Sequence, residues 1–304
     1  MSKRSMTFGA RNAPAGDPVG TQAMIGPWQL MRRLGEGPHT HVYQARPAGS
    51  AAGRPWDYVV KVLRRQMDDE PLAVDLIRRE ACIGRRVSHP HLVSILAADI
   101  TEPPYYVVMP YAEGATLRET LQEHQRLDPP HALWIVRQAA QALTALHEEG
   151  WLHGDIKPAN IQLSSSCHVT VLDLGFARRL DEPGSIVDRP LMGSYSYLAP
   201  ELFTSSTGAD ARSDIYSLGV TLYQMLTGSL PFTGQDAAEL ASAHLQQTPP
   251  NPRALVPQLP GRVNRLLKRM LAKEPLRRPQ SATELISWLV QLEIETFDER
   301  AVAV

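Results

Sequence analysis

The chain has 304 residues, enough for about two domains, and its 43% hydrophobic and 21% charged side chains exclude a disordered or collagen-like protein. With 31 Lys and Arg against 32 Asp and Glu the net charge is −1, so no global field draws it to nucleic acid or an anionic membrane. No apolar run approaches the about 18 residues that a spanning helix needs, and two cysteines, Cys82 and Cys167, support neither a disulfide framework nor a metal spacing and suit a reducing cytoplasm.

Residues 1–24 are rich in Ala, Gly, Pro, Asn and Ser, lack apolar periodicity, and read as a flexible tail. Their start is basic and free of acids, but it lacks the apolar stretch of a secretory signal. WQLMRRL (28–34) and VYQA (42–45) are strand-like runs on either side of GEGPHTH. YVVKVL (58–63) is a compact β-rich run, and 72–87 has helical spacing. LVSILAADI (92–100) and YYVVMPY (105–111) are strand-like again, separated by TEPP.

After residue 115 the pattern turns helical. Leu133, Val136, Ala140, Leu143 and Leu146 recur at three- and four-residue steps, which gives one buried helix face, and Gly150 suits its C-terminal cap. IYSLGVTLYQMLTG (215–228) is apolar nearly all round and reads as a helix buried in a core. VNRLLKRMLA and ATELISWLVQL are two more amphipathic helices, with a Pro- and Gly-rich connecting loop over 248–261. The reading is a small β-rich lobe followed by a larger helical one.

Three motifs stand in order: HGDIKPAN (153–160), DLG (173–175) and APE (199–201). Together they resemble the eukaryotic-type (Hanks-type) serine/threonine protein kinase family, and the composition is similar to its bacterial members. The resemblance covers roughly residues 26–293. It implies an α+β, bilobal fold, with a β-rich N-lobe carrying one main helix over 25–111, a mostly helical C-lobe over 112–293, and a C-terminal tail over 294–304.

Each role then has a physical reason. Gly35-Glu36-Gly37 begins a glycine-rich loop whose backbone N–H groups can approach ATP phosphates with no Cβ in the way; Thr40 replaces its third glycine and Pro38 stiffens its tip. Lys61, between Val60 and Val62 on a buried strand, needs a paired charge, and Glu80 on the helix is the candidate. The resemblance implies that Lys61 holds the α- and β-phosphates and that Glu80 positions Lys61. By the same resemblance Leu34, Gly35, Glu36, Gly37, Val42, Val60, Lys61, Met109, Pro110, Ala112 and Leu163 surround ATP, with Val42 on the adenine and the 109–112 segment as the hinge.

Asp155 would orient the substrate hydroxyl and accept its proton, and Lys157 would stabilise the γ-phosphate as charge develops. Asn160 and Asp173 would hold Mg²⁺, with Mn²⁺ as a substitute; one hard carboxylate, an amide and phosphates suit an ion that keeps several waters. Leu174 replaces the usual Phe and still fills an apolar slot. Glu201 with Arg278 resembles the ion pair that ties the activation segment to the C-lobe, Asp214 would hold the catalytic-loop backbone, and Gly219 allows close packing there. The His39/His41 and His89/His91 pairs have no third ligand at metal spacing and read as structural.

The function implied is ATP-dependent phosphorylation of protein Ser/Thr hydroxyls in the cytoplasm, as in bacterial signalling, with no nucleic acid and no membrane insertion. Regulation would come from a regulatory partner or a homodimer. Two alternatives stand beside it. Pro38, Thr40 and Gly84, which stands one turn after Glu80 where a larger apolar residue would pack, point to a nucleotide-holding scaffold (a pseudokinase). HGD in place of HRD also resembles aminoglycoside and choline phosphotransferases, which lack the APE-bounded segment and the SDIYSLG helix. Gly154 stands where many family members have an arginine that pairs with an activation-loop phosphate. Between Asp173 and Ser194 the only hydroxyl is Ser185, and Arg178, Arg179 and Arg189 are the nearby cations, so the expectation is activity without loop phosphorylation.

Overall fold

A computed structural model describes residues 23–51, 53, 55–180, 195–204 and 208–296. Most of the expected N-terminal and C-terminal tails, with Ser185 and Arg189, lies outside the described residues.

Strands β1 (Met24–Ile25), β2 (Trp28–Glu36), β3 (Thr40–Pro47), β4 (Tyr58–Leu63), β5 (Ala97–Asp99) and β6 (Tyr106–Pro110) form an antiparallel sheet in the order β1-β2-β3-β4-β6-β5. The stiff β-branched residues of β4 suit its central place. Successive side chains alternate between the sheet's faces. Val60 and Val62 therefore enter an outer cluster with Leu30, Ala45, Tyr106 and Val108. Val59, Lys61 and Leu63 turn toward helix α1 (Pro71–Arg86), with Val59 and Leu63 in the main core. Pro71 opens α1 where a missing N–H costs nothing. Its buried face runs through Ala73, Val74, Ile77, Glu80, Ala81 and Gly84. The expected strand over 92–100 is shorter, because Leu92 leaves the sheet to bridge Val171 of the other lobe.

Gly114 makes the crossing between lobes. Its φ is +122°, and a Cβ there would stand 1.9 Å from the Leu163 carbonyl oxygen, so only glycine fits. β7 (Ala115–Thr116) leads into α2 (Leu117–His124), which starts in a capping box between Thr116 and Glu119. α3 (Pro129–Glu148) starts at Asp128, whose carboxylate accepts the His131 N–H at 2.9 Å, and ends before Gly150 at φ +78°. Leu133, Val136, Ala140, Leu143 and Leu146 are all 0% exposed, and each such aliphatic burial is worth about 1.5–3 kcal/mol for the larger side chains.

β8 (Trp151–Leu152), β9 (Ile161–Leu163), β10 (Val169–Val171) and β11 (Arg178–Arg179) form two small sheets, β10-β9-β7 and β11-β8. They frame the loops that carry Asp155 and Asp173. Below them lie α4 (Glu201–Thr204), α5 (Ala211–Thr227), α6 (Ala237–Gln246), α7 (Pro252–Leu255), α8 (Gly261–Met270) and α9 (Ala282–Glu295). The α7 turn, opened by the Asn251 cap and Pro252, interrupts what the composition suggested was loop. α5 is buried nearly all round, as its apolar run implied, and packs against α3 and α8. A Cβ on Gly219 would stand 2.8 Å from that of Met270, which explains the glycine at that crossing. The fold is α+β and bilobal, with one main helix in the β-rich lobe. Among the described residues no helix is long and apolar enough to cross a membrane.

Candidate active site

Between the lobes lies a cavity of about 500 Å³, within the range of small-molecule sites. Leu34, Gly35, Glu36, Gly37 and Val42 line it from the β2–β3 hairpin, and Met109, Pro110 and Ala112 from the segment that joins the lobes. Lys61, Glu80, Asp155, Lys157, Asn160 and Asp173 line it as well. Of the residues expected around a nucleotide, two stand elsewhere. Val60 is fully buried in the outer cluster, and the valine that lines the cavity is Val59. Leu163 lines a separate small void with His131, Trp134 and Ile135, while its neighbour Gln162 lines the cavity. Both departures are one-residue offsets on a strand, and strand alternation turns such an offset to the opposite face. Counting back two from Lys61 and forward two from Asn160 finds Val59 and Gln162.

The glycine-rich turn is closed by main chain, since Gly37 N–H donates to the Thr40 carbonyl at 2.8 Å. Thr40 thus does its part through its backbone, whatever its side chain. A Cβ on Gly35 would meet no protein atom within 4 Å. The space beside that glycine is open. Gln162 Nε2 donates to the Ala112 carbonyl at 3.3 Å, which places an amide on the cavity floor against the inter-lobe segment.

Lys61 is the electrostatic centre. Its Nζ donates to Glu80 Oε2 at 2.7 Å and to Asp173 Oδ1 at 2.9 Å. Burial works against its charge, but the two carboxylates outweigh burial and hold the ammonium protonated, with its pKa raised. Burial pushes Glu80 up to about 6, since it shares Lys61 with Asp173. Burial acts on Asp173 in the same direction, yet the charge and hydrogen bond of Lys61, with help from Lys157 and the Gly175 N–H, bring it down to about 2.

The catalytic loop is fixed from below. Asp214 Oδ2 accepts the His153 N–H and the His147 ring at 2.9 Å each, and its Oδ1 accepts the Gly154 N–H at 2.8 Å. Burial would raise the pKa of Asp214, but these donors lower it, the His147 hydrogen bond most of all. His153 Nδ1 in turn accepts the Asp155 N–H at 3.2 Å. Asp155 Oδ2 then receives Lys157 Nζ at 2.7 Å and Asn160 Nδ2 at 2.9 Å. Arg278, 1% exposed, makes a bidentate pair with Glu201 at 2.7 and 2.8 Å, and its remaining donors go to the carbonyls of Ala272, Arg212 and Lys273. Asp214 thus fixes the loop backbone and Arg278 ties Glu201 to the 272–278 turn, and none of Asp214, Glu201 and Arg278 lines the cavity.

The donor set fits Mg²⁺. Asn160 commits its NH₂ to Asp155, both to the carboxylate and to the main-chain oxygen at 2.8 Å. Its amide oxygen is therefore the atom left for a metal, beside the hard oxygens of Asp173. Among the described residues no group of three or more His, Cys, Asp or Glu could hold an ion by itself. Two protein ligands match an ion that takes its other ligands from water and phosphate.

A protein kinase domain family model matches residues 28–289. The chain is 36% identical over 242 residues to the serine/threonine-protein kinase PknB of Mycobacterium tuberculosis, covering 78% of this chain and 38% of that protein. It is 34% identical over 268 residues to PknD of the same organism, covering 88% and 39%. It is 32% identical over 265 residues to the probable serine/threonine-protein kinase CPE1738 of Clostridium perfringens, covering 87% and 38%. The chain thus spans less than two fifths of the length of these relatives.

Proposed function

The chain belongs to the protein kinase family and is similar to its bacterial serine/threonine members, and from that premise we propose that it transfers the γ-phosphoryl group of ATP to serine or threonine hydroxyls of proteins. The observation that carries this reading is the bridge of Lys61 to Glu80 and Asp173 within the cavity that also holds Asp155, Lys157 and Asn160. Residues 25–111 act as the N-lobe and 112–293 as the C-lobe; of the flanking stretches read as tails over 1–24 and 294–304, Met24 pairs in β1 and Ile294 and Glu295 close α9, so the tails begin beyond them. The setting is the cytoplasm, and regulation comes from a regulatory partner or a homodimer.

In the proposed reaction Lys61 holds the α- and β-phosphates in place, and Glu80 holds Lys61. Asp155 accepts a hydrogen bond from the substrate hydroxyl and aims its oxygen at the γ-phosphorus. The new O–P bond forms as the bond from the γ-phosphorus to the β–γ bridging oxygen breaks. The electron pair leaves with ADP, and the hydroxyl proton goes to Asp155. Lys157, 2.7 Å from Asp155, meets the negative charge that develops on the transferred group. Asn160 and Asp173 would hold Mg²⁺, or Mn²⁺ in its place, which supplies charge neutralisation at the β- and γ-phosphates.

The scaffold reading draws on Pro38, Thr40 and Gly84, and it expects nucleotide binding without transfer. Radiolabelled ATP offered with casein-like proteins and, separately, with small aminoalcohols distinguishes all three readings. Label on protein Ser or Thr is the expected outcome. Label on the aminoalcohol alone would point to a small-molecule phosphotransferase, and binding with no transfer to a scaffold.

A further inference from the structure

Arg118 lines two spaces: the cavity that contains Asp155, and a neighbouring cleft of about 680 Å³. One wall of that cleft is α2 and the turn after it, with Arg118, Gln122, Gln125 and Arg126. The facing wall carries Tyr197 and Gln224, joined by a 2.7 Å hydrogen bond from the tyrosine hydroxyl to the amide oxygen. Among the described residues the lining contains two guanidiniums and no carboxylate. Arg118 and Arg126 are exposed, and neither donates to a carboxylate of the described residues. That is unlike Arg64, Arg212 and Arg278, which all have acidic partners. A polar cleft with two unspent cations beside a catalytic carboxylate attracts anionic groups.

Geometry sets their spacing. Arg118 stands in the first turn of α2 and Arg126 two residues beyond its end, after Gln125 turns the chain at φ +61°; the six residues from Arg118 to His124 rise about 9 Å at about 1.5 Å per residue. An extended peptide covers that distance and the step into the turn in about three or four residues at about 3.3 Å each. Amides and hydroxyls on the facing wall suit a peptide backbone.

We propose that this cleft selects protein segments carrying two Asp or Glu side chains, three or four residues apart, near the Ser or Thr that reaches Asp155, with Arg118 and Arg126 as the specificity-determining residues. This rests on the kinase reading above, whose substrate class it narrows.

The test uses matched peptides with one Ser acceptor and two variable positions four residues apart, placed before or after it and filled with Glu, Gln or Lys. The quantity read is the ratio of kcat/KM between Glu and Gln peptides, which cancels any general effect of a variant on catalysis. The wild type should favour Glu by about tenfold in one of the two placements, as expected for two partly exposed ion pairs at up to about 1 kcal/mol each. Salt at 0.5 M should shrink that ratio. The Arg118→Ala/Arg126→Ala double variant should bring it near one, and Arg126→Glu should shift preference toward Lys. Equal rates for Glu and Gln peptides, or a ratio unchanged in the double variant, would overturn the proposal. If no peptide and no protein is labelled, the kinase reading is what fails. The cleft is then judged by fluorescence anisotropy of labelled Glu and Gln peptides, where equal affinities, or an unchanged Glu preference in the double variant, count against it.

Discussion

A Cβ built on Gly84 would stand 2.4 Å from Cγ1 of Ile95, so α1 sits closer to the segment leading into β5 than any side chain at position 84 would permit. Ile95 N–H also donates to the Gly84 carbonyl at 2.9 Å. The isoleucine, buried at 5% exposure, occupies the space that a larger residue on the helix would otherwise fill. Glu80, one turn earlier, is carried by this seating to within 2.7 Å of Lys61. The space left at Gly84, one of the departures that pointed to a scaffold, is thus filled from the opposite side.

Gly84→Ala should therefore lower kcat/KM for ATP about tenfold or more, because overpacking costs about 1–3 kcal/mol and would be relieved by moving α1 away from Lys61. Alanine's better helix propensity, about 1 kcal/mol, acts in the opposite direction. The sign of the activity change thus separates overlap from propensity. Adding Ile95→Ala should recover part of the loss. Steady-state kinetics of the three variants decides it, and a fully active Gly84→Ala enzyme would mean that the close seat has no part in holding Glu80.

Asp155→Asn should keep ATP affinity and lose about 10²–10⁴ in turnover, the usual worth of a general base. In the proposed reaction the carboxylate acts on the acceptor and not on the nucleotide. Binding by calorimetry and turnover by radiolabel must be measured separately. Equal turnover would remove Asp155 from the role assigned to it.

Lys61→Met should abolish transfer and also lower stability by about 3 kcal/mol, since it leaves Glu80 buried and Asp173 half-buried without their shared cation. Lys61→Met/Glu80→Gln should regain stability but not activity. Thermal unfolding and transfer assays on the two variants test the pair of claims. An unshifted midpoint in the single variant would contradict the coupling.

How the sequence carried these residues differs from position to position. Lys61, Asp155, Asn160 and Asp173 sit in short stretches where chemistry constrains the letters, and the structure brings them into one cavity. Apolar strand residues carry no such constraint: Val59 and Val60 are the same letter and differ only in the face they take. Gln162 was hidden for another reason, because a polar residue on a cavity floor breaks the apolar pattern that would have identified it. The seat of Gly84 depends on Ile95, eleven residues on, and no local periodicity encodes that contact.

Glu80 gives the site an acid limb. Its carboxyl is pushed up to about 6, so it is ionised and able to hold Lys61 above that pH, and becomes protonated below it. kcat/KM should fall as pH drops through about 6, and the limb should flatten in Glu80→Gln at a lower plateau. The effect on stability has the opposite sign. A carboxyl whose folded pKa exceeds its unfolded one favours the protonated fold, so its contribution to stability declines as pH rises from about 4.5 to about 6. A pH profile of Glu80→Gln with the same acid limb as the wild type would assign that limb to another group.

Gly154 has φ +75°, a backbone region that costs a residue with a Cβ about 1–2 kcal/mol, and its N–H is held by Asp214 at 2.8 Å. The turn is thus anchored through its backbone, and glycine adopts it without strain. Position 154 offers no cation to a phosphate on the following segment. Of the cations that could replace it, Arg178 and Arg179 belong to β11, paired with β8, and Arg189 and the lone hydroxyl of Ser185 lie outside the described residues. A catalytic loop already fixed by Asp214 gains little from a second, phosphate-dependent tie. Fully dephosphorylated protein and Ser185→Ala should both keep the specific activity of the untreated enzyme, with Gly154→Ala losing stability rather than acquiring a phosphate requirement. A fall of about a hundredfold in either, or roughly 2.7 kcal/mol of transition-state stabilisation, would mean that one of the other arginines has taken the place of the missing one.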